Sequence, residues 1–252
     1  VGIAVLLFAV PVGICIGVVG IGGVLLPPAL TWLTGLDIHA AAGTSSWCFL
    51  FTGIAGTAAY ARTRAMPWRF GGWLTLGAAP AAAAGALANG AVPATVLWLV
   101  LATLTAGSGA FNLWPRGRRD VSAEPGSMPG GRHDLSPAAA VAVGVFVGFG
   151  SALTGTGGPV LLVPVLLALG VPALTTVAAG QLVQLPLVGF ATLGYAAHDS
   201  VHFGLGSLLG VLAAAGVLLG ARLARRLPAR HLHRIASVAL VGFGAILFVL
   251  PR

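Results

Sequence analysis

Thr44-Ser45-Ser46, Thr156, Gln181 and Gln184 are hydrogen-bonding side chains set inside long apolar runs. Two of those runs are interrupted by Gly20-Ile21-Gly22-Gly23 and Gly155-Thr156-Gly157-Gly158. A polar side chain in an apolar medium must find a partner. A glycine pair within a helix frees backbone N–H groups at the start of the next segment, and lets a ligand approach them closely. Uncharged donors of this kind suit a small oxyanion that must bind and then leave. The candidate anion-binding residues are therefore Gly22, Gly23, Thr44, Ser45, Ser46, Thr156, Gly157, Gly158, Gln181 and Gln184. Packing competes for the same residues: small residues bring membrane helices together, and Ser, Thr and Gln bond across them. Ser151, Thr154, Ser108 and Asn112 are secondary candidates. Trp47 is near enough to wall the site, although packing is its expected role.

Charge is informative by its position. The five acids (Asp37, Asp120, Glu124, Asp134 and Asp199) all lie at run ends or in the one hydrophilic stretch. A carboxylate-held metal has no place inside the runs, nor has a buried acid relay. No metal, cofactor or enzymatic activity is expected. Proton coupling falls to His39, His198 or His202 with Asp37 or Asp199, against ordinary interfacial roles for the same residues.

The elements that must position these groups follow from composition and repetition. The 252 residues are 58% hydrophobic and 7% charged, with mean hydropathy +1.00. Soluble domains carry roughly 25% charged residues, so a membrane chain is expected. The net charge of +8 sits in short loops and the hydrophilic stretch. It reads as a topology signal and a contact for lipid headgroups, not for nucleic acid. His231 and His233 belong to the same basic surroundings. Most tryptophans flank run ends, as in an interfacial belt. Cys15 and Cys48 lie within runs and read as free thiols. The first stretch lacks a basic leader and a cleavage pattern, and is read as membrane domain.

One offset, 135, carries Gly13 onto Gly148, Gly35 onto Gly170, Tyr60 onto Tyr195, Gly71 onto Gly206 and Gly85-Ala86 onto Gly220-Ala221. The chain is two copies of one module: 1–115 as repeat one, 116–135 as a linker, and 136–252 as repeat two. The apolar runs are Val1–Gly35, Ala40–Ala61, Phe70–Ala91 and Ala94–Trp114, then Leu135–Leu169, Ala173–Ala197, Phe203–Leu223 and Leu232–Leu250. Most suit one helical crossing of about 20 residues. The first of each copy is longer and is cut by its glycines, so it predicts a broken helix, a hairpin or a re-entrant pair. A two-residue slip is allowed within the second runs, pairing Gly43-Thr44 with Gly180-Gln181.

Arg62, Arg64 and Arg69 follow the second run of copy one. In copy two the basic loop comes one turn later, with Arg222, Arg225, Arg226, Arg230 and Arg234. The linker adds Arg116, Arg118, Arg119 and Arg132. The positive-inside rule then puts equivalent loops on opposite sides. The expected fold is an all-α polytopic membrane protein of two inverted-topology repeats. Each repeat is a glycine-broken hairpin or re-entrant pair plus three transmembrane helices. The linker is expected in the cytoplasm and both termini outside.

The segments Gly17–Leu30 (GVVGIGGVLLPPAL), Ala41–Ser46 (AAGTSS), Gly155–Pro164 (GTGGPVLLVP) and Ala178–Gln184 (AAGQLVQ) resemble the sulfite exporter TauE/SafE family, and the likeness spans nearly the whole chain. It implies movement of sulfur-containing organic and inorganic anions across the bacterial inner membrane, outward in direction. The leading expectation is a secondary transporter of sulfite or organosulfonate-type anions, working by alternating access between inverted repeats. A passive anion channel and a non-transporting assembly or receptor subunit are the alternatives. The partners expected are a small anion and the lipid bilayer. Oligomeric state is left open.

Overall fold

The structure, a computed structural model, describes residues 3–61, 66–113 and 135–224, with 238, 241–242 and 244–247. Arg62, Arg64, Trp114, the linker arginines, Arg225, Arg226, Arg230, Arg234, His231 and His233 lie outside the described residues, as do the side chain of Asn112 and most of the run Leu232–Leu250.

Every element among the described residues is helical. The first long run folds as α1 (Ile3–Val19), a 3-10 turn (Gly22–Leu25) and α2 (Leu26–Thr34). Gly20 ends α1 with φ 81°, a left-handed conformation that glycine adopts at little cost. The turn folds back on α1, since Gly22 lies against Val12, Cys15 and Ile16. In the second long run, α6 (Pro137–Thr154) ends at Gly155 with φ 68°, and α7 (Pro159–Ala168) restarts with Pro159 in its first turn. Each run is thus cut into two helices at its glycines, as its length predicts.

The other elements are α3 (Ile38–Ala61), α4 (Trp68–Asn89), α5 (Ala94–Leu113), α8 (Ala173–Ala196) and α9 (Phe203–Ala224). Asp37 caps α3, its carboxylate accepting from the backbone N–H of His39 at 2.8 Å and of Ala40 at 3.1 Å. Among the described residues, four helices are long and apolar enough to cross a membrane: Trp68–Asn89, Pro137–Thr154, Thr175–Ala196 and Phe203–Leu223. Large apolar side chains such as Leu7, Leu193 and Phe146 face outward, while Thr44, Ser45, Thr52 and Gln181 are wholly buried. That distribution suits a lipid surround.

Glycines set the close contacts. In the α1/α9 pair, Gly13 lies against the Ala213 carbonyl and Gly17 against that of Val217. In the α6/α4 pair, Gly148 lies against the Ala78 carbonyl and Gly85 against that of Phe149. Residue numbers rise together along both pairs, so each is parallel. Small residues of this kind let membrane helices approach backbone to backbone. α3 and α8 run antiparallel: Gly43 meets Tyr195, Gly53 meets Leu185 and Gly56 meets Gln181. α3 also packs on α9, and α8 on α4. The tyrosines matched by the offset make matched bonds. Tyr60 Oη donates to Gly17 O at 2.9 Å, and Tyr195 Oη donates to Ala152 O.

These bonds, with helix bounds that agree at an offset of 135, correct the two-residue slip. Ser46, not Thr44, stands in register with Gln181, and Phe49 with Gln184. Gly43 and Gly180, which the slip pairs, are two residues out of register.

Candidate functional site

The two glycine breaks meet at Phe49, in the middle of α3. A Cβ at Gly23 would stand 2.8 Å from Thr156 O and 3.2 Å from Phe49 Cζ, and one at Gly157 would stand 2.6 Å from Phe49 Cδ2. The ring therefore lies against both breaks: a side chain at Gly157 would collide with it, and one at Gly23 would press on it and collide with the Thr156 carbonyl. Gly158 lies against Leu187 and the backbone of Gln184, which brings α8 to the same centre. Gly157 and Gly158 have φ of 83° and 98°, whereas Gly22 and Gly23 belong to the 3-10 turn. The breaks share the glycine that stops the helix and differ in how the chain resumes.

The two glutamines, which sequence ranks together, are held differently. Gln184 Nε2 donates to Phe49 O at 2.9 Å and to Thr52 Oγ1 at 2.8 Å, tying α8 to α3. Gln181 Nε2 reaches Ile16 O at 3.5 Å, and its Oε1 is buried over Gly56 with no partner. Ser45 Oγ is likewise buried without a partner. Ser46 Oγ donates within its helix to Ala42 O at 3.0 Å.

Around the second break the hydroxyls satisfy one another and the backbone. Thr154 Oγ1 and Thr156 Oγ1 are 3.1 Å apart, Thr156 Oγ1 donates to Ser151 O at 3.5 Å, and Ser151 Oγ donates to Gly158 O at 3.4 Å. Ser108 Oγ reaches Val160 O at 3.4 Å from α5.

Gly22, Gly23, Ser45, Ser46, Thr156, Gly157, Gly158, Gln181 and Gln184 thus gather around the breaks and the α3 face that meets them, all buried. Thr44 does not join them. Its Oγ1 accepts from His202 N at 3.1 Å, and its backbone lies against Gly206 at the start of α9. Trp47 also turns to α9, donating from Nε1 to Ser207 Oγ at 2.8 Å and packing edge-on against Phe51 and Phe203. Packing is its role, as expected.

The titratable candidates share one end of the bundle. Asp37 caps α3, and His39 Nδ1 bonds Asn89 Oδ1 at 2.8 Å. His198 Nδ1 bonds Gly194 O at 3.3 Å and its ring lies near Gly90, while Asp199 turns the chain with φ 53°. His39 and His198 each take an uncharged partner. Arg69 and Arg222 lie at the opposite end, by the direction of α4 and α9 relative to α3.

Asn89 is the residue that sequence reading passed over. It is 1% exposed, and its Nδ2 donates to Leu153 O at 2.7 Å, so it joins α4 to the last turn of α6 and to His39 on α3. A signal was present: Ala78, Ala82, Gly85 and Asn89 form one small-residue stripe at helical spacing, and Asn89 ends it. Asn89→Leu leaves the Leu153 carbonyl and His39 Nδ1 without this partner. It is expected to destabilise the protein by about 1–3 kcal/mol, read as a lowered melting temperature in detergent.

The sequence model of the sulfite exporter TauE/SafE family matches residues 1–63 and 50–247, and the chain belongs to that family. The family is one of membrane transporters that export sulfite and related sulfur anions. With its long apolar helices, the chain is a multi-pass bacterial membrane protein. No curated protein and no solved structure matches it.

Proposed function

For this member of the sulfite exporter family, we propose secondary transport of a small sulfur oxyanion, sulfite or an organosulfonate, by alternating access. The carrying observation is the convergence of both glycine breaks on one buried centre with Ser45, Gln181 and Gln184 around it. Asp37, Arg69, Asp199 and Arg222, the charged side chains among the described residues, all lie at helix ends or in turns. An oxyanion held by dipoles and neutral donors is stabilised without a trapped counter-charge, and so can leave again.

The rocking elements in this reading are repeats 1–115 and 136–252, joined by the linker 116–135. We propose that they have inverted topology. The antiparallel course of α3 and α8, which the offset makes equivalent helices, supports this. So do the matched tyrosine bonds and the exchange of contacts in which α1 packs on α9 and α6 on α4. Each glycine break is then a re-entrant turn, one from each face. Arg69 and Arg222 at one end support a cytoplasmic face there, with the linker in the cytoplasm and both termini outside. The proton-coupling groups of the scheme are His39 and His198, with Asp37 and Asp199 beside them. Sulfite flux that is indifferent to an imposed pH gradient, and unchanged in His39→Gln and His198→Gln, removes them from it.

The test is flux in proteoliposomes. Purified protein is expected to carry sulfite or methanesulfonate down an imposed gradient, in competition with each other. Flux no faster than in empty vesicles sinks the transport reading in favour of a non-transporting assembly. Flux that never saturates favours a passive channel.

A further inference from the structure

Ser45, Phe49, Thr52 and Gly56 fall at spacings of four, three and four on α3, and so share one face of it. Three buried oxygens lack a partner among the described residues: Thr192 Oγ1 on α8, and two that lie along this face of α3, Ser45 Oγ and Gln181 Oε1 over Gly56. Ser45 and Gln181 are both 0% exposed. A buried polar atom without a partner is costly, and native chains rarely keep one without a reason. Between these two levels the line is blocked, where Phe49 sits against Gly23 and Gly157 and where Gln184 clamps Thr52 and the Phe49 carbonyl. Eleven residues of helix separate Ser45 from Gly56, about 16 Å at 1.5 Å per residue. One level lies toward Asp37, the other toward Arg69.

We infer that this face of α3 is the anion's path, with binding stations at Ser45 and at Gln181 and with the Phe49 ring as the barrier between them. This rests on the transport reading and deepens it. Ser45 offers a free hydroxyl donor. Gln181 offers its amide: one Nε2 hydrogen spans the long contact with Ile16 O, the second is available to the anion, and the free Oε1 can accept the proton of a hydrogensulfite. Gln184 is fully engaged and acts as a positioning residue for Phe49. Neither station carries a charge, so a singly charged oxyanion such as a sulfonate or hydrogensulfite is the class that fits.

The test uses the full chain with Cys15→Ala and Cys48→Ala, carrying either Ser45→Cys or Gln181→Cys. A membrane-impermeant, sulfonate-bearing methanethiosulfonate is applied to right-side-out and inside-out vesicles. The expected result is labelling of the two cysteines from opposite sides, slowed by methanesulfonate. Adding Phe49→Ala is expected to raise labelling from the far side about tenfold, through loss of one aromatic barrier.

Labelling of both from one side, labelling indifferent to methanesulfonate, or no labelling overturns the path while wild-type flux stands. Absence of wild-type flux overturns the transport reading itself, and the path with it. A measurement without cysteines covers variants that do not fold. Phe49→Ala alone is expected to leak methanesulfonate about tenfold faster than wild type; an unchanged leak from a folded Phe49→Ala protein overturns the barrier.

Discussion

Gly85→Ala and Gly148→Ala are each expected to lower the melting temperature of the purified protein by roughly 2–10 °C, while Gly72→Ala leaves it unchanged or raises it. Gly85 and Gly72 share α4, so the contrast isolates tertiary contact from helix propensity. At Gly85 a Cβ would collide with the Phe149 carbonyl on α6, and at Gly148 with the Ala78 carbonyl on α4; at Gly72 nothing lies within 4 Å. Backbone cannot turn aside as a side chain can, so the helices must separate. Overpacking of this kind costs about 1–3 kcal/mol, which exceeds the 0.5–1 kcal/mol, roughly, that alanine contributes over glycine inside a helix. The propensity term alone remains at Gly72. Equal melting temperatures for Gly72→Ala and Gly85→Ala would falsify the backbone-contact account of the α4/α6 seam.

The second large effect separates the two glutamines. Gln181→Leu is expected to reduce sulfite flux about ten- to a hundredfold, the loss of one hydrogen bond to a charged ligand, with melting unchanged or raised because an unpartnered buried oxygen is removed. Gln184→Leu removes two short bonds to α3 and is expected to lower stability by about 1–2 kcal/mol. Its flux falls through misplacement of Phe49. Flux and melting measured on the same preparations decide the matter. Wild-type flux in a folded Gln181→Leu protein removes Gln181 from the anion's route, whatever Gln184→Leu does.

Much of the site was readable as residue type and place. A glutamine in an apolar run must be bonded or functional, and glycine pairs in a run too long for one crossing must break it; both statements follow from the chemistry of a lipid surround. What the types did not reveal was how each group is occupied. Thr44 and Ser45 are adjacent and chemically alike, yet their directions on the helix differ by about 100° at 3.6 residues per turn. One reaches His202 at the start of α9, and the other faces inward without a partner. Asn89 escaped notice because a single amide near a run end is common at an interface, and its burial depends on α6 arriving with a free carbonyl at Leu153.

The sequence alone determined the membrane class, the recurrence of glycines at an offset of 135, the positions of both breaks and the confinement of charge to run ends and the hydrophilic stretch. Each of these depends on local composition, or on comparing the chain with itself. Tertiary structure decided which helices meet, and so which small residues are contacts and which are bystanders. It also decided that Gln184 is held by two short bonds and Gln181 by one long one, and that Phe49 stands where the breaks come together. Burial, partner and clash are relations between segments distant in the chain. A buried oxygen lacks a partner only when every neighbouring segment has taken its place around it.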